Sequence, residues 1–187
     1  MTQTPVHESL LPPFHALDRY CKQRPNDAAA LHLFALICER LDLIPLSLDL
    51  VSQSIVLLER SYEETEDART EEQFATANGT LGRLRLASGD FPGAVEAFTI
   101  ALSLLPADDE ALRIKTLRAH AQFGSGLANF RLGELESALG MFESALEELP
   151  SEMVNVRGHV TVLLAQTLWA LGSDEARETA RGQLLEW

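Results

Sequence analysis

The chain has 187 residues, room for one ordinary domain or for about five to six short helical repeats. Its hydrophobic share of 46% provides for a continuous core, and the low aromatic share of 6% beside abundant Leu and Ala favours helices over sheets. Fifteen basic against 28 acidic residues give a net charge of −13, which repels phosphate backbones and anionic lipid and argues against direct nucleic-acid or membrane binding.

Residues 1–13 carry neither a basic start nor an apolar run of the signal-peptide kind and read as an irregular N-terminal segment. A single helical repeat domain is expected over 14–187. Residues 14–27 read as a half repeat, a closing helix with Leu17 and Tyr20 facing inward, ended by the turn Pro25-Asn26-Asp27. A first full repeat follows over 28–61, with Pro45 in the first turn of its second helix, where a missing N–H costs little. Cys21 and Cys38 have no CxxC spacing and read as reduced thiols of a cytoplasmic chain, with the nucleus as the alternative compartment. The most apolar stretch, 41–51, is interrupted by Asp42 and Asp49 and cannot span a bilayer. The acidic stretch 60–72 holds no Gly or Pro, so it reads as overlong helix with a solvated face at Glu63–Glu72; recognition of a basic partner is the other reading.

Two segments then repeat one another: GDFPGAVEAFTIALSLLPAD (89–108) and GELESALGMFESALEELPSE (133–152). Gly89, Ala94, Phe98, Ala101 and Pro106 recur in register as Gly133, Ala138, Phe142, Ala145 and Pro150. Each glycine follows an apolar helical pattern, where a left-handed cap suits it, and each proline stops a helix. The small residues lower side-chain volume where helix axes cross. Repeats are thus expected over 75–108 and 119–152, with residues 109–118 as a helical extension between them. A last unit over 158–187 carries Leu164, Ala165 and Leu168 ahead of Gly172, and its second helix is one residue out of step.

This pattern resembles the tetratricopeptide repeat, a helix–turn–helix of 34 residues. The resemblance implies an all-α fold, a right-handed α-solenoid of antiparallel helix pairs. Repeat 75–108 matches with Leu81, Gly82, Ala94, Phe98, Ala101 and Pro106, and departs at Asn78 and Arg85, where the family has large aromatics. Repeat 119–152 matches with Gly126, Ala138, Phe142, Ala145 and Pro150, and departs at Ser125 and Asn129. Repeat 28–61 is degenerate, with Phe34, Ala35 and Cys38 in its first helix and Ser47, Val51 and Ser54 in its second.

The resemblance also implies a concave face made by the first helix of each repeat. It brings forward His32, Leu36 and Arg40; Thr76, Thr80 and Arg83; His120, Phe123, Leu127, Phe130 and Arg131; and His159, Val162, Gln166 and Trp169. As a protein-binding groove the candidate residues are Arg83, His120, Phe123, Leu127, Phe130, Arg131, His159, Gln166 and Trp169, with Phe123, Phe130 and Trp169 as anchors. The bland alternative is that these aromatics pack against the extra helical segments. The Lys and Asn residues with which chaperone-binding members clamp a terminal carboxylate are missing: Gly79, Thr80, Arg83, His120 and Gly124 stand there instead.

No chemistry-bearing motif stands beside this. His120 and His159 have no further ligands at metal spacing. Gly124-Ser125-Gly126 has no third glycine or preceding strand and reads as small residues at a helix crossing. Asn78-Gly79-Thr80 matches a glycosylation sequon but falls inside a helix. No nucleophile–base constellation appears, so no catalytic, cofactor or metal residue is assigned and the chain is expected not to be an enzyme.

A narrower resemblance rests on ALHLFALICERL, EEQFATANGTLGRLRLASGDFPGAVEAF and RAHAQFGSGLANFRLGELESAL. Together they are similar to the large tetratricopeptide scaffold subunits of fungal superkiller complexes. That implies a cytoplasmic scaffold joining a helicase and β-propeller subunits for 3′-to-5′ mRNA decay with the exosome. A generic tetratricopeptide adaptor, or a regulatory subunit binding a peptide in its groove, is the alternative. The ending GQLLEW, in mid-helix, is expected to leave an apolar face for a longer array or an oligomer partner.

Overall fold

The computed structural model describes residues 5–65 and 67–185, which form nine helices and no strand. They are α1 (Pro5–Gln23), α2 (Ala28–Arg40), α3 (Ile44–Thr65), α4 (Ala68–Ala87), α5 (Phe91–Ser103), α6 (Leu112–Leu132), α7 (Leu135–Glu148), α8 (Val154–Leu171) and α9 (Asp174–Leu185). Each helix packs on the next in sequence, and α4 also packs on α6. This is a tetratricopeptide-like α-solenoid, with α2–α3, α4–α5, α6–α7 and α8–α9 as its helix pairs.

The repeat frame is visible in burial. The small position of each first helix is Ala35, Gly82, Gly126 or Ala165, all buried. In the second helices Ser47, Ala94 and Ala138 share one buried position, Val51, Phe98 and Phe142 a second, and Ser54, Ala101 and Ala145 a third. Close approach explains the glycines. A Cβ on Gly82 would lie 2.8 Å from the Phe98 ring, and one on Gly126 would lie 2.7 Å from Phe142. The glycines are the space those two rings fill.

The turns repeat as well. Gly89, Gly133 and Gly172 all have φ between 81° and 84°. In the first repeat the same position is Asp42, at φ 60°. The following amide closes the helix end each time: Leu43 donates to the carbonyl of Cys38, Asp90 to Arg85 and Glu134 to Asn129, all at 2.9 Å. The serines of the degenerate repeat find backbone acceptors at the crossing. Ser47 Oγ donates to the Ala35 carbonyl (2.7 Å) and Ser54 Oγ to the Ala28 carbonyl (2.8 Å). Cys21 and Cys38 are buried thiols, and burial pushes Cys38 up to about 11.

Three expectations need correction. The stretch expected to be irregular through residue 13 is helical from Pro5, although Pro12 and Pro13 lie inside the helix. Tertiary packing outweighs their local cost: the Phe14 ring meets Phe34 edge-on at 5.2 Å, and Leu17 packs on the same core. Residues 1–4 lie outside the described residues. Tyr20 does not face inward. It is 37% exposed, its hydroxyl donates to Asp27 (3.0 Å), and the Arg24 guanidinium lies over its ring. The helical extension before the third repeat begins at Leu112, since residues 109–111 are not helical.

Both connections otherwise use overlong helices as expected. The first is divided beside Asp67, whose carboxylate caps α4 by accepting from the amides of Arg69 and Thr70. Hydrogen bonds from Thr70 hold that carboxyl down at about 2. The extension of α6 is locked by Arg118, 5% exposed, which forks onto Glu148 at 2.8 and 2.9 Å and also donates to the carbonyls of Pro106 and Asp109. Arg157 holds the corresponding place in the first turn of α8 and donates to the carbonyls of Leu146 and Leu149, both at 2.7 Å. A guanidinium therefore ties the end of each of the two preceding hairpins.

Candidate protein-binding groove

The first helices α2, α4, α6 and α8 set the candidate residues in a row, and the structure sorts them into two groups. Arg83, His120, Phe123 and Leu127 line one cavity of about 340 Å³ between α4 and α6, with Phe98 and Ala101 of α5 and Leu105 just after it also in the wall. His159 stands at its far side through Phe123, the two rings 5.8 Å apart. Phe130, Arg131, Gln166 and Trp169 do not line it. Phe130 is partly buried against the cluster around Phe142, which is built mainly by α7 and α8 of the regular repeats and not by the extra helical segments. Arg131 and Gln166 are exposed. Trp169 is 52% exposed, with the guanidinium groups of Arg177 and Arg181 over its ring at 5.5 and 6.0 Å. The side chains at 183–187, where an uncovered apolar face was expected, lie outside the described residues.

Sequence reasoning passed over most of the cavity wall. Ala75, Gly79, Ala121 and Gly124 leave its space open, and Leu117 from the α6 extension closes one end. Gly124, expected at a helix crossing, abuts the Phe98 ring: a Cβ there would come within 2.3 Å. One signal was available, a glycine at residue 79 where the other repeats carry His32 and Phe123.

The polar groups at the mouth interact with one another. Arg83 donates twice to Glu39 of α2, at 2.7 and 2.8 Å. His32 Nε2 is hydrogen-bonded to Thr80 Oγ1 at 3.0 Å. Burial lowers the pKa of His32 and of His120, and the Arg83 charge adds to both shifts. The histidines therefore favour the neutral form. A second hollow of about 730 Å³ lies between the α1–α2 turn and the α3–α4 junction, lined by Asn26, Asp27, Ser61 and Thr70 among others, and shares no residue with the groove. Among the described residues no three His, Cys, Asp or Glu side chains converge as metal ligands would, and no helix is long and apolar enough to cross a membrane.

No protein-family profile matches the chain. It is 36% identical over 177 residues to Superkiller protein 3 of Schizosaccharomyces pombe and 26% identical over 172 residues to Superkiller protein 3 of Saccharomyces cerevisiae. Each alignment covers 92% of this chain, and the chain spans 12% of the length of either relative. Among solved structures, MamA superposes with a TM-score of 0.71 at 15% identity, covering 99% of this chain and 95% of that one. A kinesin light chain of Podospora anserina with nearly identical TPR-like repeats superposes at 0.69 and 17% identity, covering 95% and 84%. These structures are similar in fold, and the two Superkiller proteins are similar in sequence over one segment. The chain is a tetratricopeptide-type repeat solenoid, similar along nearly its whole length to one segment of Superkiller protein 3.

Proposed function

We propose that this chain is a non-enzymatic segment of a superkiller-type scaffold, holding a helicase and β-propeller subunits together for cytoplasmic 3′-to-5′ mRNA decay with the exosome. The observation that carries this reading is the 36% identity to Superkiller protein 3 across 92% of the chain. The structure supports the protein-binding part of it. Stacked helix pairs with buried small residues at every crossing give a stiff surface, and protein partners are what such a surface suits. The charge of −13 disfavours direct contact with RNA, so on this reading the chain acts on RNA decay only through its partners.

Affinity capture of the chain from a cytosolic lysate, followed by mass spectrometry, tests the reading. Recovery of a helicase together with a β-propeller protein and exosome subunits is the expected result. Recovery of unrelated assemblies, with none of these, sinks the RNA-decay assignment. A generic peptide-binding adaptor is the second reading, favoured by the cavity between α4 and α6, which is sized for a discrete group and not for a broad flat contact.

A further inference from the structure

The geometry points to a socket at the α4–α6 junction that receives one aromatic side chain, flanked by an acidic residue, from a partner polypeptide. The inference deepens the protein-binding reading above and rests on it.

The evidence is a comparison between two successive junctions of the same solenoid. At the α6–α8 junction Phe123 fills the space between the first helices, with its ring 6.2 Å from Phe142 of α7 and 5.8 Å from His159 of α8. One repeat earlier, the counterparts of Phe142 and His159 are Phe98 and His120, and both line the cavity. The counterpart of Phe123 is Gly79. At the α2–α4 junction this position is also filled, by His32 reaching Thr80. The cavity is therefore the place of a side chain that the chain itself supplies at the junctions on either side.

Nothing in the fold requires glycine at 79. It sits inside α4, without the positive φ of the capping glycines, and a Cβ there would meet nothing within 4 Å. Gly82 and Gly124, by contrast, are each held small by the Phe98 ring. A glycine in a helix interior is unfavourable in itself, so an unforced one that opens an apolar hollow suits a ligand. The volume of about 340 Å³ is at the low end for pockets that hold a discrete group, roughly 300–1,000 Å³.

The mouth supplies the acidic preference. In a chain of net charge −13, the Arg83 guanidinium stands at its rim, held there by Glu39. A carboxylate beside the inserted ring meets Arg83 in exchange for Glu39, which gives register as well as charge complementarity.

The test is selection of a random dodecapeptide display library on the intact chain, with enriched peptides titrated against wild type and Gly79→Phe by fluorescence anisotropy. Peptides sharing a Phe, Tyr or Trp next to Asp or Glu are expected, binding Gly79→Phe about tenfold more weakly or worse. Replacing the peptide aromatic by Ala should cost as much, and Glu39→Gln should tighten binding. Gly79→Phe should melt no lower than wild type; if it does, Gly79→Leu fills the same space with fewer atoms and makes the same comparison. Peptides that bind both proteins equally, peptides without an aromatic, or no peptide at all overturn the socket. Self-association of the wild-type chain that Gly79→Phe abolishes would assign the site to a second copy and overturn the partner named here. Capture of the helicase and β-propeller subunits by wild type and Gly79→Phe alike, with no discriminating peptide, removes the socket and leaves the scaffold standing.

Discussion

The repeat at 28–61 and the repeat at 119–152 meet the same geometric demands with different chemistry. Where the later repeat has Ala138 and Ala145 at its helix crossings, the earlier one has Ser47 and Ser54, all four fully buried. Where the later one turns at Gly133, the earlier one turns at Asp42 in the same left-handed region. Phe142 in one is Val51 in the other. Each position demands a small volume, a left-handed turn or a filled space, and a residue outside the consensus serves when a backbone partner absorbs its polarity. Degeneracy here is substitution within a fixed frame.

The largest expected effect is at the filled position. Phe142→Ala should cost about 3–5 kcal/mol in urea unfolding, since the ring is fully buried and fills the space that Gly126 leaves. Val51→Ala, at the matching site, should cost clearly less because fewer buried atoms are removed. Equal losses would break the equivalence of the two sites. Next come the glycines: Gly126→Ala should cost about 1–3 kcal/mol by forcing Phe142 aside, and Gly82→Ala a similar amount through Phe98. If either proves neutral, those rings have room that the structure does not show.

A smaller effect of opposite sign is expected at the turn. Asp42→Gly relieves a left-handed residue and should raise stability by about 0.5–1 kcal/mol, whereas Gly133→Ala should lower it, both read as shifts in melting temperature. The smallest is a pH dependence. His32 and His120 have depressed pKa values in the folded chain, through burial first and the Arg83 charge second, so protonation favours the unfolded state. Stability should therefore fall as pH drops below the ordinary histidine value near 6.5, and level off once pH passes below the folded values. His32→Gln with His120→Gln should flatten the melting temperature across that window relative to wild type.

Much of this was legible beforehand because tetratricopeptide packing writes itself as spacing. Gly89, Ala94, Phe98 and Ala101, recurring after residue 133, marked the helix pairs, the crossings and the turns without any tertiary information. The overlong helices followed from the lack of breakers in 60–72 and 109–118, although the first stretch is divided beside Asp67 and the second turns helical only at Leu112. Other features left no such mark. Pro12 and Pro13 argue locally against a helix, and only contact of Phe14 and Leu17 with the α2 core outweighs them. Arg118 looks like any surface cation until its reach to Glu148 and the Pro106 carbonyl is seen.

The candidate groove divides in the same way. The tetratricopeptide resemblance implied one face for Arg83, His120, Phe123 and Leu127, and these four line the cavity. That resemblance could not separate Phe123, which lines the cavity, from Phe130, which packs on the Phe142 cluster, since both are aromatics on the first helix. Nor could it show that Gly79 opens a space while Gly82, three residues on, is forced by a ring. The sequence by itself determined the fold, because the recurring spacing is written in local periodicity, and the inward face was implied only through the resemblance to the tetratricopeptide family. Which small residues are crossings and which is a vacant place depends on the distance between helices, and that distance is fixed only when all the repeats stack.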